Sequence, residues 1–87
     1  MKIAVWDTYV RKEDGSIMHF DILAPDSIVD KQQILHYGND YLTSKSLSLQ
    51  ITNTDLCEFC HVETPDNQTI KQVEQKGYAI LEMENCH

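Results

Sequence analysis

A short turn between two β-rich segments is the feature that most constrains the fold of this chain. Segments 2–10 and 17–23 are rich in β-branched and aromatic residues, and Asp14-Gly15 lies between them. Asp-Gly suits the two central positions of a type I′ turn, where both residues need a positive φ. The sequence therefore predicts an N-terminal β-hairpin.

The same turn predicts the register of the hairpin. With Asp-Gly at its centre, or with a four-residue loop over 13–16, Tyr9 is paired with Phe20 and Trp6 with Leu23. Side chains alternate across a strand, so we expect the first pair on one face of the sheet and the second pair on the other.

This register predicts a polar group on one face of the hairpin. It pairs Thr8 with Asp21 and brings His19 diagonally within reach. A carboxylate beside an imidazole can orient and charge it, but Thr8 without a base is a poor nucleophile. We therefore interpret the set as solvent-facing. Asp7 falls on the more apolar face, where a carboxylate needs a hydrogen bond or the edge of the sheet.

Helix and strand signals follow each other along the rest of the chain. Ser27 is the predicted N-cap of a first helix over 28–44, and Thr64 and Pro65 start a second that stops at Gly77. In the first helix a buried stripe is predicted, with His36 on the solvent side; the stripe comprises Ile34, Leu35, Gly38, Tyr41 and Leu42.

Three further segments carry strand signals. Residues 47–52 and 78–83 are predicted strands, and 56–63 is predicted as a helical turn followed by a short strand. The resulting order is β-β-α-β-(turn/β)-α-β. We expect a small α+β single domain over residues 1–87, in which the N-terminal β-hairpin belongs to a mixed sheet with two helices packed on it.

The charge balance narrows the classes of partner. Seven basic residues stand against 14 acidic ones, for a net charge of −7. Such a chain repels phosphate backbones and anionic lipid surfaces, so no nucleic acid and no membrane are expected as partners, and a protein partner stays possible. The apolar run at the N-terminus stops at Asp7, too early for a signal peptide, which predicts a cytoplasmic location.

Four stretches together resemble a known family of small bacterial proteins. They are Val5–Val10, Met18–Ile22, Cys57–His61, and Gly77-Tyr78 leading to Met83–Cys86. The chain resembles the domain-of-unknown-function family numbered two thousand and twenty-four over nearly its whole length. The resemblance implies no established activity, cofactor or catalytic residue. The family pattern often places Gly before the last Cys, and Asn85 stands there in this chain; Asn tolerates the left-handed region next best.

A cysteine-histidine motif is the strongest chemical signal. Cys57, Cys60 and His61 form C-x-x-C-H, and with Cys86, or His87 in its place, they offer the four ligands of a tetrahedral zinc site. The pattern is also compatible with a thiol redox pair or a c-type haem attachment. In the plainest interpretation, Cys60 is a small buried hydrophobe and His61 lies on the surface.

Two hypotheses of different class follow from these residues. The first is a cytoplasmic binding domain without enzymatic activity, because the sequence has no Gly-rich phosphate loop and no nucleophile–base pair. The second is a metal or thiol site built from Cys57, Cys60, His61 and Cys86, with zinc as the possible cofactor. Convergence of those side chains distinguishes the two hypotheses.

Overall fold

The computed structural model of the protein describes residues 2–47, 61–63 and 65–86. Four strands and two helices are present among them: β1 Ile3–Arg11, β2 Ile17–Pro25, α1 Lys31–Ser44, β3 His61–Glu63, α2 Asn67–Lys76 and β4 Ala79–Glu84. Neither helix of this described part is long and apolar enough to cross a membrane.

The strands form one sheet in the order β3-β1-β2-β4. Every neighbouring pair of described strands is antiparallel. The predicted α+β class is confirmed, but the predicted mixed sheet is wrong for these strands, because β3 and β4 each run opposite to the hairpin strand beside them. Of the predicted strand 47–52, all but Leu47 lies outside the described residues, as does the predicted helical turn before His61.

The hairpin forms as predicted, but its register differs by one residue. The amide of Lys12 donates to the Ser16 carbonyl at 2.8 Å, and the amide of Gly15 donates to the Lys12 carbonyl at 3.0 Å. Gly15 has φ +89°, so the connection is a three-residue loop with glycine in the left-handed position, not a two-residue turn. An odd loop length changes the pairing of every residue in β2.

The observed register pairs Tyr9 with His19 and Trp6 with Ile22, so the predicted pairs with Phe20 and Leu23 are wrong. Side chains of β2 therefore exchange faces relative to the expectation. One face, here called the α1 face, packs against α1 and holds most of the apolar core. That core includes residues of the hairpin, of α1 and of the segment after β4: Trp6, Val10, Met18, Phe20, Ile22, Ile34, Leu42 and Cys86.

The opposite face, here called the α2 face, carries a smaller apolar cluster. Ile3, Val5 and Leu23 of the hairpin contact Val73 of α2 and Ala79 of β4. This contact covers only the part of the face near the start of β1 and the end of β2. Toward the hairpin loop the face carries polar side chains beside exposed apolar ones.

Helix α1 buries the predicted stripe, including Gly38. Its N-cap is Asp30 rather than the predicted Ser27, because the Asp30 carboxylate accepts a hydrogen bond from the amide of Gln32 at 2.9 Å. Asp30 thus begins the helix three residues later than the sequence indicated.

Helix α2 likewise starts later than predicted. Asp66, not Thr64, is the N-cap, and its carboxylate accepts from the amide of Thr69 at 2.8 Å. Gly77 ends the helix with φ 90°, which confirms the predicted left-handed stop. A Cβ at Gly77 would lie 2.9 Å from the hydroxyl of Tyr37. Asn85 also has positive φ, 56°, as the family resemblance implied.

Candidate functional site

Three polar side chains meet on the part of the α2 face that lies beyond the contact with α2. Asp7 of β1 stands directly opposite Asp21 of β2 in the ladder. His19 lies two residues before Asp21 on the same strand, and alternation puts it on the same face. The corrected register therefore assembles an Asp-His-Asp cluster from two adjacent strands.

The ligand atoms of the cluster are close enough to share one ion. The Nε2 atom of His19 lies 3.4 Å from Oδ1 of Asp21 and 3.9 Å from Oδ1 of Asp7. One atom from each of the three side chains can be chosen so that all lie within 4.8 Å of one another.

Two of these atoms are buried without a hydrogen-bond partner. They are Oδ1 of Asp21 and Nε2 of His19. Asp21 as a whole is only 6% exposed. The 3.4 Å contact between the two atoms lacks hydrogen-bond geometry, and an unsatisfied buried polar atom is costly. Both atoms are thus available to a ligand placed between them.

The charges of the opposed carboxylates, Asp7 and Asp21, also favour a bound ligand. The pKa of Asp21 is raised to about 6, first by burial and then by the neighbouring Asp7 carboxyl, while His19 acts to lower it. Like charges directly opposite each other on adjacent strands are destabilising. The cluster therefore favours a proton or a cation between its carboxylates.

Tyr9 holds the imidazole from one side. The rings of Tyr9 and His19 are stacked, with centroids 4.3 Å apart and planes inclined by 15°. Tyr9 is the ladder partner of His19, so this contact follows directly from the register. Stacking restricts the rotation of the imidazole and directs Nε2 toward the two carboxylates.

The structure does not bring together the described members of the predicted cysteine site. Cys57 and Cys60 lie outside the described residues. His61 begins β3 opposite Val5, whereas Cys86 follows β4 and is buried, its thiol donating to the carbonyls of His19 at 3.2 Å and Glu84 at 3.3 Å. The outer strands β3 and β4 are separated by two strands, about 14 Å at the usual strand spacing.

Sequence reasoning found two members of the observed cluster and misplaced the third. His19 and Asp21 were expected side by side, but with Thr8 rather than Asp7. Thr8 is fully buried on the α1 face, where its hydroxyl donates to the Trp6 carbonyl at 3.2 Å. The sequence carries one signal for Asp7 as the third member, because a carboxylate on the more apolar face of the hairpin needs a partner or the edge of the sheet.

Comparisons with known proteins agree with this architecture of a small α+β domain. The family model described as a domain of unknown function (DUF2024) matches residues 1–83, and the chain belongs to that family. The predicted resemblance is thereby confirmed. The chain is similar to the NMR structure of protein NE1680 from Nitrosomonas europaea, with 33% identity, a TM-score of 0.84 and full coverage of both chains. No curated protein matches the chain.

Proposed function

We propose that this protein is a binding domain for a divalent transition-metal ion, held by Asp7, His19 and Asp21. The observation that carries the proposal is the pair of buried, unpartnered atoms, Oδ1 of Asp21 and Nε2 of His19, 3.4 Å apart. A metal ion would bind both atoms without having to break a hydrogen bond between them.

The distances suit such an ion. Metal–nitrogen and metal–oxygen bonds of about 2.0–2.2 Å put neighbouring ligand atoms about 3.0–3.5 Å apart. The His19–Asp21 separation of 3.4 Å already lies in that range, and the His19–Asp7 separation of 3.9 Å exceeds it slightly. The side chain of Asp7 is 31% exposed, which leaves it room to rotate inward.

The donor set selects the kind of metal. One imidazole nitrogen with two carboxylate oxygens suits zinc or manganese better than magnesium, which keeps most of its waters and rarely takes imidazole. A divalent cation would also neutralise the two opposed carboxylates. Zn²⁺ and Mn²⁺ are therefore the expected ligands, and Mg²⁺ is the comparison ion.

Two measurements on the full chain test the proposal. Isothermal titration calorimetry is expected to show one Zn²⁺ bound per chain, with Mg²⁺ binding far more weakly. Mn²⁺ is expected to broaden the amide resonances of Asp7, His19 and Asp21 selectively, because paramagnetic relaxation falls steeply with distance from the ion.

The zinc affinities of variants at the proposed ligands test where the ion binds. Asp21→Asn and His19→Gln are expected to weaken Zn²⁺ binding by more than about 100-fold, because each removes one of three ligands. The matched control is the exposed pair of α1, in which His36→Gln and Asp40→Asn are expected to leave Zn²⁺ affinity unchanged. Zinc affinity that survives in Asp21→Asn would contradict the proposal.

The cysteine site predicted from Cys57, Cys60, His61 and Cys86 stays a separate prediction. Zinc held by thiolates would slow the reaction of the cysteines with Ellman's reagent, and chelation would accelerate it. His61→Ala distinguishes the two sites, since it removes a ligand of the predicted cysteine site alone. A cytoplasmic location and the absence of enzymatic activity also remain predictions from the sequence.

A further inference from the structure

Exposed apolar side chains surround the Asp-His-Asp cluster. Large hydrophobic side chains in the described part of the chain are exposed at five positions, and four of these are on the strands that carry or flank the cluster. They are Tyr9 at 49%, Ile17 at 40%, Leu81 at 51% and Met83 at 51%. A concentration of exposed apolar surface beside a polar site is typical of a ligand-binding surface.

A cavity begins beside the cluster. Leu81 of β4 is the ladder partner of Asp21, and Leu23 lies two residues beyond Asp21 on the same face of β2. Both leucines line a cavity of about 520 Å³ between α2 and β4, within the range of small-molecule sites. Gln68, Thr69 and Gln72 of α2 form its polar wall.

The charges around this cavity exclude a free anion as its ligand. Among the described residues that line it there is no lysine or arginine, and the one charged residue is Asp66, whose carboxylate caps α2. Asp7 and Asp21 add further negative charge nearby. An oxygen-bearing acid could bind here only through a cation that offers it coordination positions.

We propose that the metal-loaded cluster binds a small organic acid, which coordinates the ion through an oxygen chelating group and lays an uncharged apolar body over Leu81 into the adjoining cavity. This inference rests on the proposed function. Three protein ligands leave open positions on the ion, as in sites that bind water or substrate. Tyr9 of β1 and Leu81 of β4 are the ladder partners of His19 and Asp21, so they lie on either side of the β2 part of the cluster.

Two hydroxamates that share one chelating group test the inference. On zinc-loaded protein, benzohydroxamate is expected to bind about tenfold more tightly than acetohydroxamate, because only its phenyl ring covers apolar surface. Neither compound is expected to bind the metal-free protein. In NMR spectra benzohydroxamate is expected to shift the side-chain amides of Gln68 and Gln72.

The variant Leu81→Asn isolates the apolar contact. It is expected to remove the preference for benzohydroxamate while leaving zinc affinity unchanged, and Val29→Asn, at an exposed position outside this surface, is expected to change neither. Equal affinity for the two hydroxamates, binding to metal-free protein, or transfer of zinc from the protein to the hydroxamate would overturn the inference but not the metal site. Failure of zinc itself to bind would overturn both.

Discussion

Two histidine–aspartate pairs in this protein have nearly the same separation and very different surroundings. In the sheet, His19 Nε2 lies 3.4 Å from Asp21, with side chains 17% and 9% exposed. On α1, His36 Nε2 lies 3.5 Å from Asp40 one turn away, with side chains 67% and 54% exposed. Distance alone therefore says little about what such a pair does.

Solvent makes the difference between the pairs. Water surrounds the helix pair and screens its charges, so its contribution to stability is small. In the sheet pair the carboxylate is desolvated and faces Asp7, and its pKa is raised to about 6. The buried pair keeps unsatisfied atoms that a ligand can use, whereas the side chains of the exposed pair are open to solvent.

The largest expected effect is the stabilisation of the folded protein by a metal ion bound at the sheet pair. Zn²⁺ at 100 times its dissociation constant should raise the free energy of unfolding by about 2.7 kcal/mol, because it binds the folded state. Thermal unfolding with and without Zn²⁺ measures this. The stabilisation should vanish in Asp21→Asn and persist in Asp40→Asn; its loss in both variants would place the ion elsewhere.

Removing the buried charge should stabilise the metal-free protein. A pKa raised from 3.8 to about 6 corresponds to about 3 kcal/mol of destabilisation at neutral pH. Solvent screening on the open side of the cluster reduces this to about 1–2 kcal/mol. Urea unfolding at pH 7 should therefore show Asp21→Asn to be more stable than the natural protein by about 1–2 kcal/mol. Equal or lower stability of the variant would show that the opposed carboxylates carry no such penalty.

That stability difference should depend on pH. Between about pH 4 and pH 6 the folded protein binds more protons at Asp21 than the unfolded chain does, so its stability falls as the pH rises through this window. The advantage of Asp21→Asn should thus be present at pH 7 and lost by about pH 4. A difference that is constant from pH 4 to pH 7 would contradict the raised pKa.

The smallest effect is expected at the helix pair. His36→Gln and Asp40→Asn should each change the free energy of unfolding by less than about 0.5 kcal/mol, since exposed ion pairs one helical turn apart contribute little. Urea unfolding in low and high salt checks this, because any residual effect should decrease with ionic strength. A change in the free energy of unfolding above about 1 kcal/mol would mean that solvent exposure does not explain the difference between the two pairs.

Local signals in the sequence were sufficient for most of the fold. The alternating segments around Asp14-Gly15 predicted the hairpin, the apolar stripe predicted the buried face of α1, and Gly77 predicted the end of α2. Each of these depends on residues close together in the chain. The helix starts were less certain because Ser27, Asp30, Thr64 and Asp66 are all good N-caps, and the sequence alone does not choose between neighbouring candidates.

Composition and residue pattern by themselves determined an acidic α+β chain with a hairpin and two helices, and they placed His19 close to Asp21. Only the tertiary structure decided that Asp7 joins them, because a three-residue loop shifts the register by one and turns each side chain of β2 to the other face. It also decided that β3, which begins at His61, and β4, which leads to Cys86, are opposite edge strands of the described sheet. Strand order and register depend on contacts between distant segments, which local preferences do not encode.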